Sequence, residues 1–556
     1  MNRDPNDNVS VLSHILDATI AMVMLMSMAV LLMATSSDSD ASSGVTFGDF
    51  DEQESTVVAT ISRDATGDVV VPATITSGGK VYDVIGIHTE STPVLNGMTS
   101  LYVPESVSTI HTRLFHWDSP LLMSITVDPD NQVYSSDGGI LFSKDGTELI
   151  SCPISLDGES YTVSNGVREI GNYAFKGCGD LESIILPEGL VSIGYSAFDG
   201  CVSLTSIAIP DSVTSIGDMA FEMCTSLVAI GADGACFKAI DGVLFDETSD
   251  TLVRYPMAKT GVDYDVPDGY HNIGTYAFSD CVLESIDLTG IRTIGPSSFI
   301  DCTELTDVTF SDSLVTVESY AFFGCTDLTS VTVPDSVNEL GSYAFSKSGL
   351  TTVVLGDGIE RLSRTFDGCV SLADVTLSEG LLTLGEGVFR NCESLTYVHV
   401  PSSVTDIGSA AFEGCAVLQS VSIPAKIDKI RSDTFEGCTS LVIVGLNNYA
   451  DRLDIDKFAF GDCHDDISFK SDRQNYILTV YTATGTELKG TALKGFNQNG
   501  DAVLEWQATS SGGGVPPDQD PDPEDSDGVG TVIIVAVIAV AAVIGLGIFI
   551  FLRRKV

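Results

Sequence analysis

The stretch Leu204-Thr-Ser-Ile-Ala-Ile-Pro-Asp-Ser-Val-Thr-Ser-Ile-Gly-Asp-Met-Ala-Phe-Glu-Met-Cys-Thr-Ser226 recurs, with substitutions, along most of this 556-residue chain. The phenylalanine near its end marks each copy, and most steps between these phenylalanines are 23 residues long. The marker residues are Phe115, Phe175, Phe198, Phe221, Phe278, Phe299, Phe322, Phe345, Phe366, Phe389, Phe412, Phe435 and Phe460. A fixed period in the twenties is typical of stacked coils and argues against several separate globular domains.

The apolar positions within one copy have a geometric reason. Alternation at its start places Ile207 and Ile209 on one face of a short strand. Gly217 is expected to allow a backbone conformation that other residues disfavour. The segment from Asp218 to Cys224 predicts a short helical turn whose apolar side chains point inward. One such coil cannot bury its own apolar edge, so the pattern predicts that neighbouring coils stack around a shared core.

The pattern Leu-x-x-Ile-x-Ile-Pro-x-x-Val-x-x-Ile-Gly-x-x-Ala-Phe-x-x-Cys resembles the BspA-like leucine-rich repeats of surface proteins from anaerobic bacteria, some protists and some archaea. The resemblance covers about residues 70 to 465. It implies an α/β solenoid, a right-handed coil of short parallel strands and short helical turns. For some members of the family it also implies adhesion or host interaction.

Repeats and interruptions divide the middle of the chain. Residues 45–100 alternate without the Phe and Cys marks and predict an N-terminal β-rich cap, followed by leucine-rich repeats over 101–465. Two long gaps, about 129–160 and 232–263, contain a duplicated module that predicts a β-hairpin projecting from the solenoid. A C-terminal β cap is expected over 466–508, with a hairpin between Ile477–Thr482 and Glu487–Leu493.

Both ends of the chain predict a membrane-anchored protein. Residues 1–34 contain an apolar run that predicts either a cleaved signal peptide or a retained signal anchor. After an acidic Pro/Gly spacer at 509–528, the uncharged run 529–552 is long enough for a transmembrane helix. The basic residues of the tail 553–556 predict that the tail lies in the cytoplasm and that the repeats lie outside the cell. We therefore expect a single-pass protein of the cell membrane with an extracellular repeat domain.

The charge balance limits the partners. With 77 acidic against 27 basic side chains the formal net charge is −50, a surface that repels nucleic acid and anionic lipid. We therefore expect no nucleic-acid partner, and contact with membrane only through the C-terminal helix.

Eleven of the thirteen cysteines form a column three residues after a repeat phenylalanine. Stacked coils bring equivalent Cα atoms to about 4.8 Å, but parallel Cβ vectors hold the β-carbons too far apart for a bridge. Buried free thiols are therefore expected. The column consists of Cys178, Cys201, Cys224, Cys281, Cys302, Cys325, Cys369, Cys392, Cys415, Cys438 and Cys463.

No motif of an enzyme, cofactor site or metal site is found. The chain has no Gly-x-Ser-x-Gly elbow, no His-Glu-x-x-His and no Cys-x-x-Cys pair. We therefore predict no catalytic residues, no cofactor and no metal.

The sequence does, in contrast, predict a candidate ligand-binding surface. The outward strand positions of successive copies form two columns of mostly small, hydroxyl-bearing residues, on which Tyr397 and His399 are the only large aromatic pair. With Asp374 and Thr376 of the preceding copy they are the predicted ligand-binding residues. The predicted function is non-catalytic recognition or adhesion through a protein or glycan ligand. The alternative is a structural envelope protein without a specific ligand, because Ser and Thr also suit solvated strands.

Overall fold

The structure is a computed structural model that describes residues 44–89, 97–111, 115, 119–156, 158–446, 452–456, 458–463, 467–471, 476–482 and 502–508. The chain divides into two compact units, residues 1–474 with 478–506, and residues 475–477 with 507–556. The second unit contains few described residues. In the described part, regular secondary structure consists of β-strands, and no α-helix is present.

The N-terminal strands form two sheets. Five belong to a sheet of order β1-β2-β5-β4 with β7 beside β5, and three form a parallel sheet of order β3-β6-β8. These strands are β1 (Val45–Asp51), β2 (Thr56–Ile61), β3 (Thr66–Val70), β4 (Thr74–Ser77), β5 (Lys80–Thr89), β6 (Gly97–Val103), β7 (Thr109–Ile110) and β8 (Ser124–Val127).

The remaining strands are very short and follow one another at the spacing of the repeat. They are β9 (Tyr134–Asp137), β10 (Ile140–Ser143), β11 (Glu148–Ser151), β12 (Ser160–Thr162), β13 (Glu169–Ile170), β14 (Ser183–Ile185), β15 (Ser192–Ile193), β16 (Ser206–Ile209), β17 (Ser215–Ile216), β18 (Ala229–Ala232), β19 (Phe237–Ile240), β20 (Val243–Asp246), β21 (Thr251–Arg254), β22 (Asp263–Asp265), β23 (Asn272–Ile273), β24 (Ser285–Asp287), β25 (Thr293–Ile294), β26 (Asp307–Thr309), β27 (Thr316–Val317), β28 (Ser330–Val333), β29 (Glu339–Leu340), β30 (Thr352–Leu355), β31 (Arg361–Leu362), β32 (Asp374–Thr376), β33 (Thr383–Leu384), β34 (Tyr397–Val398), β35 (Asp406–Ile407), β36 (Ser420–Ile423), β37 (Lys429–Ile430), β38 (Ile443–Leu446), β39 (Arg452–Ile455), β40 (Ser468–Ser471), β41 (Tyr476–Thr482) and β42 (Ala502–Ala508).

Each coil contributes one strand to each of two parallel ladders. The even-numbered strands from β12 to β18 and from β22 to β40 form the first ladder, in which for example Ser206 pairs with Ala229. Two-residue strands between them form the second ladder, in which Ser192 pairs with Ser215. The first ladder is the one predicted from alternation. The second was not predicted, because a strand of two residues is too short to show a period.

The predicted helical turn over Asp218 to Cys224 is absent, and the segment is a series of tight turns. Met219 and Met223 adopt positive φ angles of 59° and 53°, which a right-handed helix excludes. Gly217 also has a different role from the one expected. Its φ is not positive, but a Cβ there would lie 2.5 Å from the backbone N of Tyr195 in the preceding coil. Glycine therefore allows two coils to approach closely.

The interior is a stack of phenylalanine rings. Neighbouring repeat phenylalanines lie nearly parallel, for instance Phe299 and Phe322 with centroids 4.9 Å apart and an interplanar angle of 2°. Tyr255 of the second insert extends the stack at 5.2 Å from Phe278. Leu, Ile and Val side chains of both ladders surround these rings and are almost fully buried. Within each block of coils the side chains therefore form one shared core, as the repeat predicts.

The two inserted modules contain antiparallel strands, but these strands do not project from the solenoid. Strand β11 and strand β21 each join the second ladder in parallel, through β13 and β23. Side chains of β10 alternate between two core clusters, with Leu141 in the N-terminal one and Ile140 and Phe142 in the next. Strand β20 does the same, because Leu244 packs with the preceding cluster and Phe245 with the following one. Each insert is therefore a seam that joins two blocks of core.

At the C-terminal end, β39 pairs antiparallel with β42, in a sheet of order β37-β39-β42-β41. The hairpin predicted between Ile477–Thr482 and Glu487–Leu493 has its second arm outside the described residues. The predicted signal or anchor (1–34), spacer (509–528), transmembrane helix (529–552) and tail (553–556) also lie outside them. Within the described part no helix is long and apolar enough to cross a bilayer.

Candidate functional site

The first ladder presents one row of side chains to the core and one to the outside. The outward positions, which we call the strand face, are exposed or half-buried throughout. They are Ser183 and Ile185, Ser206 and Ala208, Ser285 and Asp287, Asp307 and Thr309, Ser330 and Thr332, Thr352 and Val354, Asp374 and Thr376, Tyr397 and His399, and Ser420 and Ser422. Their side chains are small at most positions, so the strand face is a smooth surface on a hydrogen-bonded ladder.

The four predicted ligand-binding residues lie on this face. Asp374 pairs with Thr352 in the coil before it, and Tyr397 pairs with Ser420 in the coil after it. Strands β32 and β34 are in contact, so Asp374 and Tyr397 belong to adjacent coils. His399 follows β34 and is exposed, as is Thr376. The structure therefore brings the four residues together on one side of two neighbouring coils.

A second aromatic group, made of the exposed Tyr320 and the half-buried Tyr343, was not predicted. Tyr320 and Tyr343, each two positions before a repeat phenylalanine, stack with centroids 4.8 Å apart. The guanidinium of Arg364 lies 5.6 Å above the Tyr343 ring and forms an ion pair with Glu386. We call this surface the turn face. The signal that would have found it is the recurrence of tyrosine at this position of the repeat, which lies outside the apolar pattern.

The cysteines of the column are free thiols, as predicted, and ten of the eleven are buried, whereas Cys463 is half-buried. Nine of them donate a hydrogen bond to the backbone oxygen of the phenylalanine in the preceding coil, at S–O distances of 2.8 to 3.2 Å. Burial raises the pKa of Cys224 to about 12 and that of Cys369 to about 11. These thiols stay protonated at neutral pH, and a protonated thiol is a donor and a poor nucleophile. The column therefore links each of these coils to the one before it through thiol hydrogen bonds.

No group of three or more His, Cys, Asp or Glu side chains in the described ranges is arranged to hold a metal ion.

Comparison with known proteins identifies the repeat. The sequence matches the family described as BspA type leucine rich repeat region (6 copies) over residues 155–260, 258–365 and 362–476. The comparison with curated proteins gives no match.

Several solved structures are similar to this chain. The pneumococcal vaccine antigen PcpA is 20% identical, with 66% of this chain and 92% of that chain covered and a TM-score of 0.41. A leucine-rich repeat protein from Bacteroides ovatus is 25% identical, with 78% and 99% covered and a TM-score of 0.38. A leucine rich cell surface protein from Faecalibacterium prausnitzii is 23% identical, with 74% and 96% covered and a TM-score of 0.32. Because the family match spans more than half of the sequence and coincides with the stacked coils, this chain belongs to the BspA-type leucine-rich-repeat proteins.

Proposed function

We propose that this chain is a non-catalytic recognition or adhesion protein of the cell surface, and that it binds a protein or glycan ligand on the strand face. The observation that carries the proposal is the exposed pair Tyr397 and His399 beside Asp374 and Thr376, on adjacent coils of the first ladder. Tyrosine offers a large contact area at little cost in side-chain entropy.

The chemistry of the four side chains suits a ligand with both apolar and hydroxyl groups. The Tyr397 ring presents an apolar face, and it is 40% exposed. Asp374 accepts hydrogen bonds, whereas Thr376 both donates and accepts them. The small neighbours along the strand face leave room for an extended ligand to lie across several coils. The net charge of −50 favours a neutral or basic ligand over a polyanion.

Substituting Tyr397 by alanine is expected to weaken ligand capture about tenfold or more, because exposed aromatic anchors often dominate interface energetics. The assay is retention of the purified full-length chain on an array of glycans and purified extracellular proteins. Since the side chain is exposed, the melting temperature should stay close to that of the parent.

Tyr320→Ala is the matched control, since Tyr320 is also exposed (37%) but lies on the turn face. It should leave capture unchanged. If Tyr320→Ala weakens capture and Tyr397→Ala does not, the turn face is the recognition surface. If the parent captures no ligand and forms a regular array on isolated envelopes, the protein is a structural envelope component instead.

The proposed location is the cell membrane, with residues 529–552 spanning it once and the repeats outside. The apolar run and the basic tail after it support this orientation. Protease added to intact cells should remove the repeats and leave an epitope fused to the tail protected. Repeats that survive this treatment, but are cleaved after lysis, would contradict the proposed topology.

A further inference from the structure

Two cysteines from different positions of the repeat meet where the first insert joins the regular coils. Cys178 belongs to the thiol column, whereas Cys152, directly after β11, does not. The duplicated inserts align Cys152 with Tyr255, whose ring extends the aromatic stack. The backbone agrees with this alignment. The N–H of Cys152 donates to the oxygen of Ala174 at 2.7 Å, and the N–H of Tyr255 donates to that of Ala277 at 2.8 Å. Cys152 therefore takes a ring position of the stack, beside the thiol column.

The two sulfur atoms face the same backbone oxygen. Sγ of Cys152 lies 3.7 Å from the oxygen of Pro153, and Sγ of Cys178 lies 3.8 Å from that same atom. Sγ of Cys178 also lies 3.9 Å from the backbone oxygen of Cys152. A hydrogen bond with Cys178, together with burial, raises the pKa of the Cys152 thiol well above its usual value. The two thiols are therefore direct neighbours.

This pair differs from any two members of the column. Equivalent thiols of stacked coils have parallel Cα–Cβ bonds, which hold their β-carbons too far apart for a disulfide. Cys152 and Cys178 start from different positions of the coil, one at the ring and the other three residues after it, so their Cα–Cβ bonds are not held parallel by the repeat. The restriction that keeps the column reduced does not apply to them.

The structure also leaves space beside this pair. A cavity of about 40 Å³ is lined by both cysteines and by Pro153, Tyr161 and Phe175. A small side chain at a ring position accounts for this space, which allows both thiols to change rotamer. Cys152 and Cys178 are each 5% exposed, whereas the other nine buried cysteines are at most 2% exposed. Among the buried thiols, this pair is therefore the most open to a small reagent.

We propose that Cys152 and Cys178 form a redox site that closes into a disulfide by exchange with a small external disulfide. Because the Cys152 proton is held more tightly, the first attack is assigned to Cys178. Its thiolate bonds to one external sulfur, the external S–S bond breaks, and the leaving thiolate takes up the proton that Cys178 has lost.

The second step completes the exchange. Cys152 gives up its proton and attacks Sγ of Cys178, and the bond from Cys178 to the external sulfur breaks. In total the two cysteines lose two electrons and two protons, and the external disulfide takes these up as it becomes two thiols. The new bond closes a loop across 26 positions and ties the first insert to the first regular coil.

Mass spectrometry of the purified full-length chain tests the site. The folded, reduced chain is incubated with oxidised glutathione at mildly alkaline pH, remaining thiols are blocked with N-ethylmaleimide, and the chain is digested. We expect most chains to yield a peptide pair linked through Cys152 and Cys178, which dithiothreitol separates. Cys201 and Cys224, neighbours within the column, are the internal control and should stay unlinked.

Cys178→Ser removes one partner, and the chain itself carries a buried serine, Ser348, at the equivalent position of another coil. In this variant Cys152 should be recovered without a protein partner, as the blocked thiol or the glutathione adduct. Cys201→Ser, the same change one coil later, is the matched control and should keep the linkage at the parent's level.

If Cys178→Ser does not fold, the peptide map of the oxidised parent still decides. Absence of the Cys152–Cys178 linkage from the folded parent, equal linkage of Cys201 with Cys224, or a linkage that forms only in denaturant would each overturn the proposal.

Discussion

Truncating Phe322 to alanine is expected to lower the free energy of unfolding by about 3 to 5 kcal/mol. The Phe322 side chain is fully buried and stacks between Phe299 at 4.9 Å and Phe345 at 5.2 Å. Alanine would leave a cavity between two rings and remove both aromatic contacts. Because each coil is stabilised mainly by its two neighbours, we expect the damage to reach the adjoining coils and to broaden the unfolding transition.

Chemical denaturation of the variant and the parent measures this effect. Thr332→Ala is the matched control, since Thr332 lies ten residues further along, in the strand of the next copy, and points outward on the strand face. It should change stability by about 0.5 kcal/mol or less. Equal denaturation midpoints for Phe322→Ala and the parent would contradict the assignment of the repeat phenylalanines to a shared stacked core.

The sequence was sufficient for the parts of the fold that follow from a repeated apolar pattern. Positions such as Ile207 and Phe322 recur at fixed offsets, and each occurrence adds evidence for the same buried location. The turn segment was predicted incorrectly because the spacing of apolar residues over seven positions does not determine the backbone φ angles. Met219 and Met223 have positive φ in a turn whose backbone oxygens accept hydrogen bonds from the preceding coil, for example Ala220 from Phe198 N–H, and no local rule contains these contacts.

The candidate sites, too, were predicted only where they follow from the repeated pattern of side chains. Alternation of side chains was sufficient to place Tyr397 and Asp374 on one outward face. The turn face was not predicted, because Tyr320 and Tyr343 lie one repeat apart in the sequence and their rings meet only where one coil stacks on the next. The duplication of the inserts was visible in the sequence, but their place as seams of the core depends on how β10 and β20 divide their side chains between clusters.

The buried side chain of Asn131 supports the first of these seams. Asn131 is 0% exposed, and its Nδ2 donates to the backbone oxygens of Pro104 and Val107, both at 2.8 Å. Its Oδ1 accepts from the backbone N–H groups of Val133 and Tyr134, also at 2.8 Å. The side chain thus uses its full hydrogen-bonding capacity to join the loop after β6 to the start of β9.

Substituting Asn131 by alanine is therefore expected to cost about 3 kcal/mol or more, since Pro104 and Val107 are buried and their carbonyls would lose a partner. Thermal and chemical unfolding of the full-length chain measure the loss. Asn272→Ala is the matched control, because Asn272 is half-buried and its side chain donates one hydrogen bond, to the backbone oxygen of Ser249 at 2.9 Å. It should cost about 1 kcal/mol or less.

A second substitution separates hydrogen bonding from packing at this seam. Asn131→Asp keeps the size and the accepting oxygen, but it places a carboxylate oxygen against the two backbone carbonyls that the amide now serves. Burying an unpaired charge is more costly than losing a neutral donor, so we expect Asn131→Asp to be at least as destabilising as Asn131→Ala. Melting temperatures equal to that of the parent for both variants would show that the four hydrogen bonds of Asn131 do not stabilise the seam. The apolar side chains of β10 alone would then join the two blocks of core.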